Sequence, residues 1–253
     1  MIKLSAKNWV INNIDTVLFD KDGTIIDLHY FWGKMTELRA SEIIKIFQLP
    51  QNILPKLCFY LGYDFENKKM LSDGITAMYS RSKIIEIFCS NLSTIGVHTT
   101  EKQLEEIFDC VSENFYREIE KYTKPIDEAI DFIKTLRSLG IKTGIVTSDS
   151  IKSTELTLKQ FSWESLFDVV IGRESTNSPK ESGEGTKLAM STILSKPQNT
   201  VMIGDAPMDH ISAKNAGIEH TILVATGQIS QKALLHTSQY TAERLDELEI
   251  IIL

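Results

Sequence analysis

Short apolar runs that stop abruptly on a polar or small residue recur along this chain. Residues 15–20 (DTVLFD) form the first, and residues 142–147 (KTGIVT), 167–172 (FDVVIG) and 200–205 (TVMIGD) repeat its grammar. Each is rich in Val, Ile or Leu and too short for a helix, the pattern of a strand buried on both faces of a parallel sheet. Residues 220–225 (HTILVA) predict a fifth strand. Between the runs lie amphipathic stretches such as residues 125–139, where Ile126, Ala129, Ile130, Ile133, Leu136 and Leu139 recur at helical spacing before Gly140 closes the segment. Strand and helix in alternation predict an α/β fold, a doubly wound and mostly parallel sheet with right-handed crossovers.

Residues 28–124 break that rhythm. Helical patterns run through 31–47, 75–92 and 101–122, and no strand is expected among them. The predicted organisation is a core of residues 1–27 and 125–253 interrupted by an all-helical insertion, 28–124.

Composition narrows the function. With 42% hydrophobic and 24% charged residues in 253, the chain can fill a core and is not a disordered or coiled-coil sequence. Its 27 Lys and Arg against 34 Asp and Glu give a net charge of -7, so neither nucleic acid nor an anionic membrane is an expected partner. An anionic substrate must therefore be met by local groups. Cys58, Cys89 and Cys110 are widely spaced, with no C-x-x-C pair, which fits neither a disulfide framework nor a zinc site and points to a reducing cytoplasm. Residues 1–14 carry Lys3, Lys7, Asn8, Asn12 and Asn13 and lack the continuous apolar stretch of a signal peptide. No segment reaches the roughly 18 apolar residues of a membrane span.

The candidate chemistry centres on Asp20-Lys21-Asp22-Gly23-Thr24. Two carboxylates two residues apart stand at the carboxyl end of a buried strand, where open α/β sheets place their ligands. A plain turn would use the same residue types. A calcium-binding EF-hand loop fails on spacing, since its sixth and twelfth positions fall on Ile25 and Phe31. Neither a dinucleotide-binding G-x-G-x-x-G nor a G-x-x-x-x-G-K-[ST] phosphate loop is present. Polar groups also end the other strands: Thr147 and Ser148, then Lys180 in the loop after 167–172, and Asp205 and Asp209 in GDAPMD. Singly, Thr147 could cap a strand, Lys180 could be a solvated side chain and Asp209 could start a helix. In a parallel sheet these ends share one edge, so together they predict one site.

As a set these motifs resemble the haloacid dehalogenase (HAD) superfamily, in its phosphoglycolate-phosphatase-like branch with a helical cap, and the resemblance runs over nearly the whole chain. D-x-D-G-[TV] matches Asp20 to Thr24, the strand-end Thr/Ser matches Thr147, the lysine matches Lys180, and G-D-x-x-x-D matches Gly204 to Asp209. Two departures stand out. Glu181 replaces the proline that usually follows the lysine, and Ser182-Gly183 is expected to loosen that loop. Lys187 is a competing lysine whose place in a helical pattern suits a surface better.

The resemblance implies a Rossmannoid core, a cap closing over the site, and a Mg²⁺-dependent phosphatase acting on a small phosphorylated metabolite. It assigns Asp20 as nucleophile, forming an aspartyl phosphate, and Asp22 as acid and base. Asp20, Asp205 and the backbone carbonyl of Asp22 would hold the metal, and Asp209 would orient the metal site from behind. Thr147, the N–H of Ser148 and Lys180 would bind the phosphoryl oxygens. Dehalogenases of the superfamily lack the second Asp, so Asp22 points to phosphoryl transfer. Phosphoglycolate is the best single substrate by resemblance, and a sugar phosphate or nucleotide comes next. A phosphomutase, a receiver-like signalling domain and a catalytically idle binding protein stay open as alternatives, as do monomer and homodimer.

Overall fold

The computed structural model describes residues 1–253. In chain order its strands are β1 (Ile2–Ala6), β2 (Trp9–Ile14), β3 (Thr16–Phe19), β4 (Tyr63–Asp64), β5 (Lys69–Met70), β6 (Lys142–Val146), β7 (Val169–Ile171), β8 (Thr200–Gly204), β9 (His220–Val224), β10 (Thr241–Ala242) and β11 (Glu249–Ile252). Six of them form the main sheet in the order β10-β9-β8-β3-β6-β7, every pair parallel. The fold class is α/β, as the alternation predicts.

β3 lies at the middle of this sheet because it can be buried from every side: Val17, Leu18 and Phe19 are wholly covered. Fully burying each such side chain is worth about 1.5–3 kcal/mol. The chain leaves β3 for β6 on one flank and returns as β8 on the other, so the order reverses at β3 and a crevice opens at its carboxyl end. Register fixes what meets there. Phe19 aligns with Ile145 of β6 and with Ile203 of β8, and the N–H of Asp20 donates to the carbonyl of Ile203 at 2.8 Å.

On one face of the sheet Leu18, Val146, Ile171 and Met202 pack with Ala189 and Met190 of the helix Glu184–Thr192 and Ala213 of the helix Pro207–Asn215. The helix predicted over 125–139 spans Asp127–Ser138, burying Ala129, Ile130, Phe132, Ile133 and Leu136, with Gly140 beyond it at φ 72°.

By contacts the chain divides into two compact units, Met1–Asp27 with Pro125–Leu253, and Leu28–Lys124. The second contains the helices Leu28–Ile46, Leu54–Tyr60, Ile75–Met78, Arg81–Ser93, Glu101–Arg117 and Ile119–Tyr122. Phe31, Phe88, Phe108 and Phe115 are wholly buried there, and Phe31 meets Phe115 edge to face at 5.0 Å between centroids. Within it the structure corrects three expectations. The helical pattern over 75–92 is broken at Tyr79, whose ψ of 157° is extended. That over 101–122 is interrupted at Glu118. The strandless reading of this stretch misses the hairpin β4–β5, where the N–H groups of Glu66 and Asn67 donate to Asp64 Oδ1.

β11, β1 and β2 form a three-stranded antiparallel sheet, with Ile2, Leu4, Ile11 and Ile14 buried and the chain reversing at Lys7-Asn8. No helix is long and apolar enough to cross a membrane.

Gly144 sits where β6 passes β7 and β3: a Cβ there would lie 2.6 Å from Val169 Cγ1 and 2.9 Å from Leu18 Cδ2. Gly144→Ala should therefore destabilise the protein by about 1–3 kcal/mol through overpacking, read as a lower urea midpoint with an unchanged slope.

Candidate active site

Parallel register brings the ends of β3, β6 and β8 level, so the residues just past them face one crevice. Asp20 follows β3, Thr147 follows β6 and Asp205 follows β8, and all three are buried. The helix Pro207–Asn215 begins two residues beyond Asp205. Pro207 at its first position lacks the N–H that would otherwise be unpaired, and Asp209 Oδ2 accepts from the N–H of Ala206 at 3.0 Å. Helix starting and site building are thus one act for Asp209. Its other oxygen, Oδ1, lies 2.6 Å from Lys180 Nζ, which is 2.5 Å from Asp20 Oδ1.

Lys180 is held by its loop. The turn Lys180–Ser182 ends on Gly183 at φ 78°, where a Cβ would meet Ala216 N at 2.8 Å, and Asn215 Nδ2 donates to the carbonyl of Glu181 at 2.7 Å. The expected loosening by Ser182-Gly183 is therefore wrong: this glycine lets the turn pack tightly against the end of a helix. Lys187 is exposed on the helix that follows.

The other expected groups divide. Thr147 Oγ1 accepts from the N–H of Asp149 at 3.0 Å. The Ser148 side chain is exposed and donates to Met208 Sδ at 3.4 Å. Asp22 turns its Oδ1 to Lys21 Nζ at 2.9 Å, and that ammonium also reaches Asp149 Oδ2 at 3.0 Å. Lys21 and Asp149 were not singled out from the sequence, and neither were Thr226 and Gly227. Thr226 Oγ1 donates to the carbonyl of Gly23 at 2.5 Å, and Gly227 lies so close to Asp205 that a Cβ would collide with Asp205 Oδ2. A lysine inside an otherwise small and acidic motif was the one available signal.

Four buried carboxylates (Asp20, Asp149, Asp205, Asp209) and the half-buried Asp22 share this region with two ammoniums (Lys21, Lys180), a formal excess of three negative charges were all five ionised. Burial, then the neighbouring Asp20 and Asp209, push the Asp205 carboxyl well above its ordinary range. Burial likewise raises Asp209 and Asp22 to about 6, against the pull of Lys180 and Lys21 respectively. Burial opposes the charge on both lysines, but their carboxylate partners outweigh it and hold them raised.

The donor set fits a divalent cation. Asp20, Asp205 and Asp209 each offer a carboxylate oxygen, all within 4.8 Å of one another, and oxygens on opposite sides of a small cation bound at about 2.1 Å stand about 4.2 Å apart. Asp205 forms no ion pair of its own, so it is the carboxylate that most needs a positive charge.

Two predictions follow from this crowding. A carboxyl raised in the fold stabilises most below its unfolded pKa, and that stability is lost as pH rises through the raised value. Metal-free Asp205→Asn should thus match wild type near pH 4 and exceed it increasingly toward neutral pH, at about 2–4 °C in Tm per kcal/mol. Calorimetry in chelator at several pH values reads this difference. Gly227→Ala displaces Asp205, so Mg²⁺ should raise the Tm of wild type but move that of the variant by less than about a third as much, a weakening consistent with the sensitivity of metal sites to their surroundings.

Comparison with known proteins agrees with this geometry. The family profile described as haloacid dehalogenase-like hydrolase matches residues 14–217. A pyrophosphatase PpaX of Halalkalibacterium halodurans is 25% identical over 210 residues, 83% of this chain and 83% of that protein. Among solved structures, a predicted phosphoglycolate phosphatase of Haemophilus somnus shares the fold with a TM-score of 0.70 at 15% identity, over 92% of this chain and 96% of that one. A HAD-superfamily hydrolase of Geobacter sulfurreducens does so with a TM-score of 0.63 at 17% identity, over 93% and 94%. With a family match that takes in β3, β6, β7, β8 and the insertion, the chain belongs to the haloacid dehalogenase-like hydrolases.

Proposed function

We propose that this hydrolase cleaves phosphate monoesters of small metabolites with Mg²⁺ bound, carrying the phosphoryl group on Asp20. The observation that carries this reading is the convergence of Asp20, Asp205 and Asp209 within 4.8 Å, with Lys180 reaching both Asp20 and Asp209. A carboxylate attacking a phosphate dianion meets repulsion of roughly 4 kcal/mol per charge pair at 4 Å and an effective dielectric of 20. Bound Mg²⁺ would offset that repulsion and polarise the phosphoryl oxygens. Asp20 and Asp205 would hold it with the backbone carbonyl of Asp22, and Asp209 would steady Lys180 behind them.

Each residue then has a task at a stated atom. An Asp20 oxygen attacks phosphorus, the bond to the leaving oxygen breaks, and the electron pair stays on that oxygen, which takes the proton of Asp22. Water next attacks phosphorus and gives a proton to Asp22, while the bond to Asp20 breaks and restores its carboxylate. The balance is one water consumed, one alcohol and one phosphate released. A carboxyl raised to about 6 by burial suits Asp22 for both directions of transfer. Thr147 Oγ1 already accepts from Asp149, so its own hydrogen is left to donate to a phosphoryl oxygen beside the Ser148 N–H.

Phosphoglycolate is the first substrate proposed, on the resemblance of the motifs. Pyrophosphate is the second, favoured by the pyrophosphatase among the relatives; there the leaving oxygen belongs to a second phosphate. Cys58, Cys89 and Cys110 are unpaired, which supports a cytoplasmic setting.

The test is a phosphometabolite panel containing both compounds, ranked by kcat/KM with Mg²⁺ and with chelator, on wild type and Asp20→Asn. Activity should vanish in chelator and return with Mg²⁺, and Asp20→Asn should lower kcat by at least about 10³-fold, as removing a nucleophile does. Hydrolysis that ignores the metal, or an unimpaired Asn variant, would overturn the reading.

A further inference from the structure

Lys21 stands between the two acids of the first motif, and its side chain is only 2% exposed. A long apolar residue would fill such a site without the cost of burying an ammonium, and buried ion pairs are poor sources of stability. What the ammonium does there is geometrical. Its Nζ lies 2.9 Å from Asp22 Oδ1 and 3.0 Å from Asp149 Oδ2. Asp149 is itself fixed, with Oδ1 accepting from the N–H of Ser150 at 2.7 Å and its own N–H donating to Thr147 Oγ1 at 3.0 Å. The backbone of Lys21 is pinned as well, since its carbonyl accepts from the N–H groups of Ile25 and Ile26 at 2.9 and 3.1 Å. Held at both ends, Lys21 ties the end of β3 to the end of β6 and takes one oxygen of Asp22 with it.

We infer that Lys21 is a positioning residue for Asp22: anchored on Asp149, it holds Asp22 Oδ1 so that Oδ2 is presented to the leaving oxygen. This rests on the reading of Asp22 as the acid that protonates that oxygen. The bond broken and the proton moved are those already described. Against the rise that burial gives the Asp22 carboxyl, the ammonium also draws it down; the geometrical contribution of Lys21 is the aim of Asp22. A carboxyl held by one oxygen keeps a single orientation, whereas a released one is free to turn about Cα–Cβ and Cβ–Cγ and so to leave the reacting atoms. Small misplacements of this kind are costly in rate.

The experiment uses full-length enzyme with saturating Mg²⁺ and a series of substituted phenyl phosphates, from 4-nitrophenyl to unsubstituted phenyl. An acidic phenol leaves without help and a basic one needs the proton, so the dependence of kcat/KM on leaving-group pKa reports proton donation and is blind to general damage. Asp22→Asn should steepen that dependence, losing about 10²-fold on phenyl phosphate and much less on 4-nitrophenyl phosphate. Lys21→Met should steepen it in the same sense, with a loss at least about 10-fold larger on phenyl than on 4-nitrophenyl phosphate.

An equal loss on both substrates, or none, in Lys21→Met beside a steepened Asp22→Asn would overturn the role of Lys21 while leaving that of Asp22 intact. An Asp22→Asn variant that does not discriminate would overturn both. Lys21→Met leaves Asp22 and Asp149 facing each other uncompensated; should it not fold, Lys21→Met/Asp149→Asn, which removes one charge of each sign, is read against Asp149→Asn by the same criterion.

Discussion

Mutual repulsion among buried carboxylates is the constraint on which the rest of this structure depends. Two unit charges about 5 Å apart repel by roughly 3 kcal/mol at an effective dielectric of 20, and five acids are gathered where only two ammoniums face them. Such a cluster does not assemble itself. It is imposed by strands whose apolar side chains are buried and whose hydrogen-bonded register leaves no freedom to slide: a slip of one residue would turn Val17, Leu18 and Phe19 to the wrong faces. Core burial therefore offsets the electrostatic cost at the sheet edge, and the crevice at the reversal of strand order is where that cost is concentrated.

The two ammoniums divide the acids unequally, and the inequality has chemical meaning. Lys180 joins Asp20 to Asp209, while Lys21 joins Asp22 to Asp149. Each bridges two carboxylates, and Asp205 is left over. A third lysine would have balanced the cluster but would also have filled the space beside Asp20 and Asp205 where the proposed divalent ion would sit. The arrangement sets the nucleophile candidate beside an ammonium and leaves its neighbour Asp205 without one.

Much of the fold was legible because its signals are local. Each core strand of the parallel sheet is a short apolar run, and the positions just past 16–19, 142–146 and 200–204 carried the polar residues that the structure brings to one edge. What escaped was set by distance in the chain. No periodicity links Lys21 to Asp149, or Thr226 to Gly23, because those pairs meet only once the sheet has formed. The two-residue strands β4, β5 and β10 are too short for any alternation to register. β1 buries Ile2 and Leu4 on either side of Lys3, but β2 buries only Ile11 and Ile14, three residues apart, so no period of two runs through this stretch. In the helical unit, Ser80 is a residue type that begins helices, and it does stand at the start of Arg81–Ser93, where the expected continuous helix breaks.

On the proposed reading, the residues gathered at the sheet edge would act on the part of a substrate that all phosphate compounds share. Asp20, Thr147 and Lys180 would meet the phosphoryl group, and Asp22 the oxygen that leaves it; none of them can tell a carboxymethyl group from a second phosphate. Selection among leaving groups has to come from groups outside this set. Within the set the proposed acid would sense only the basicity of the departing oxygen, not its shape. With Asp22 as the proposed acid and Lys21 aiming it as inferred, the site would gain most with leaving groups that need the proton, which would favour alkyl phosphates over anhydrides.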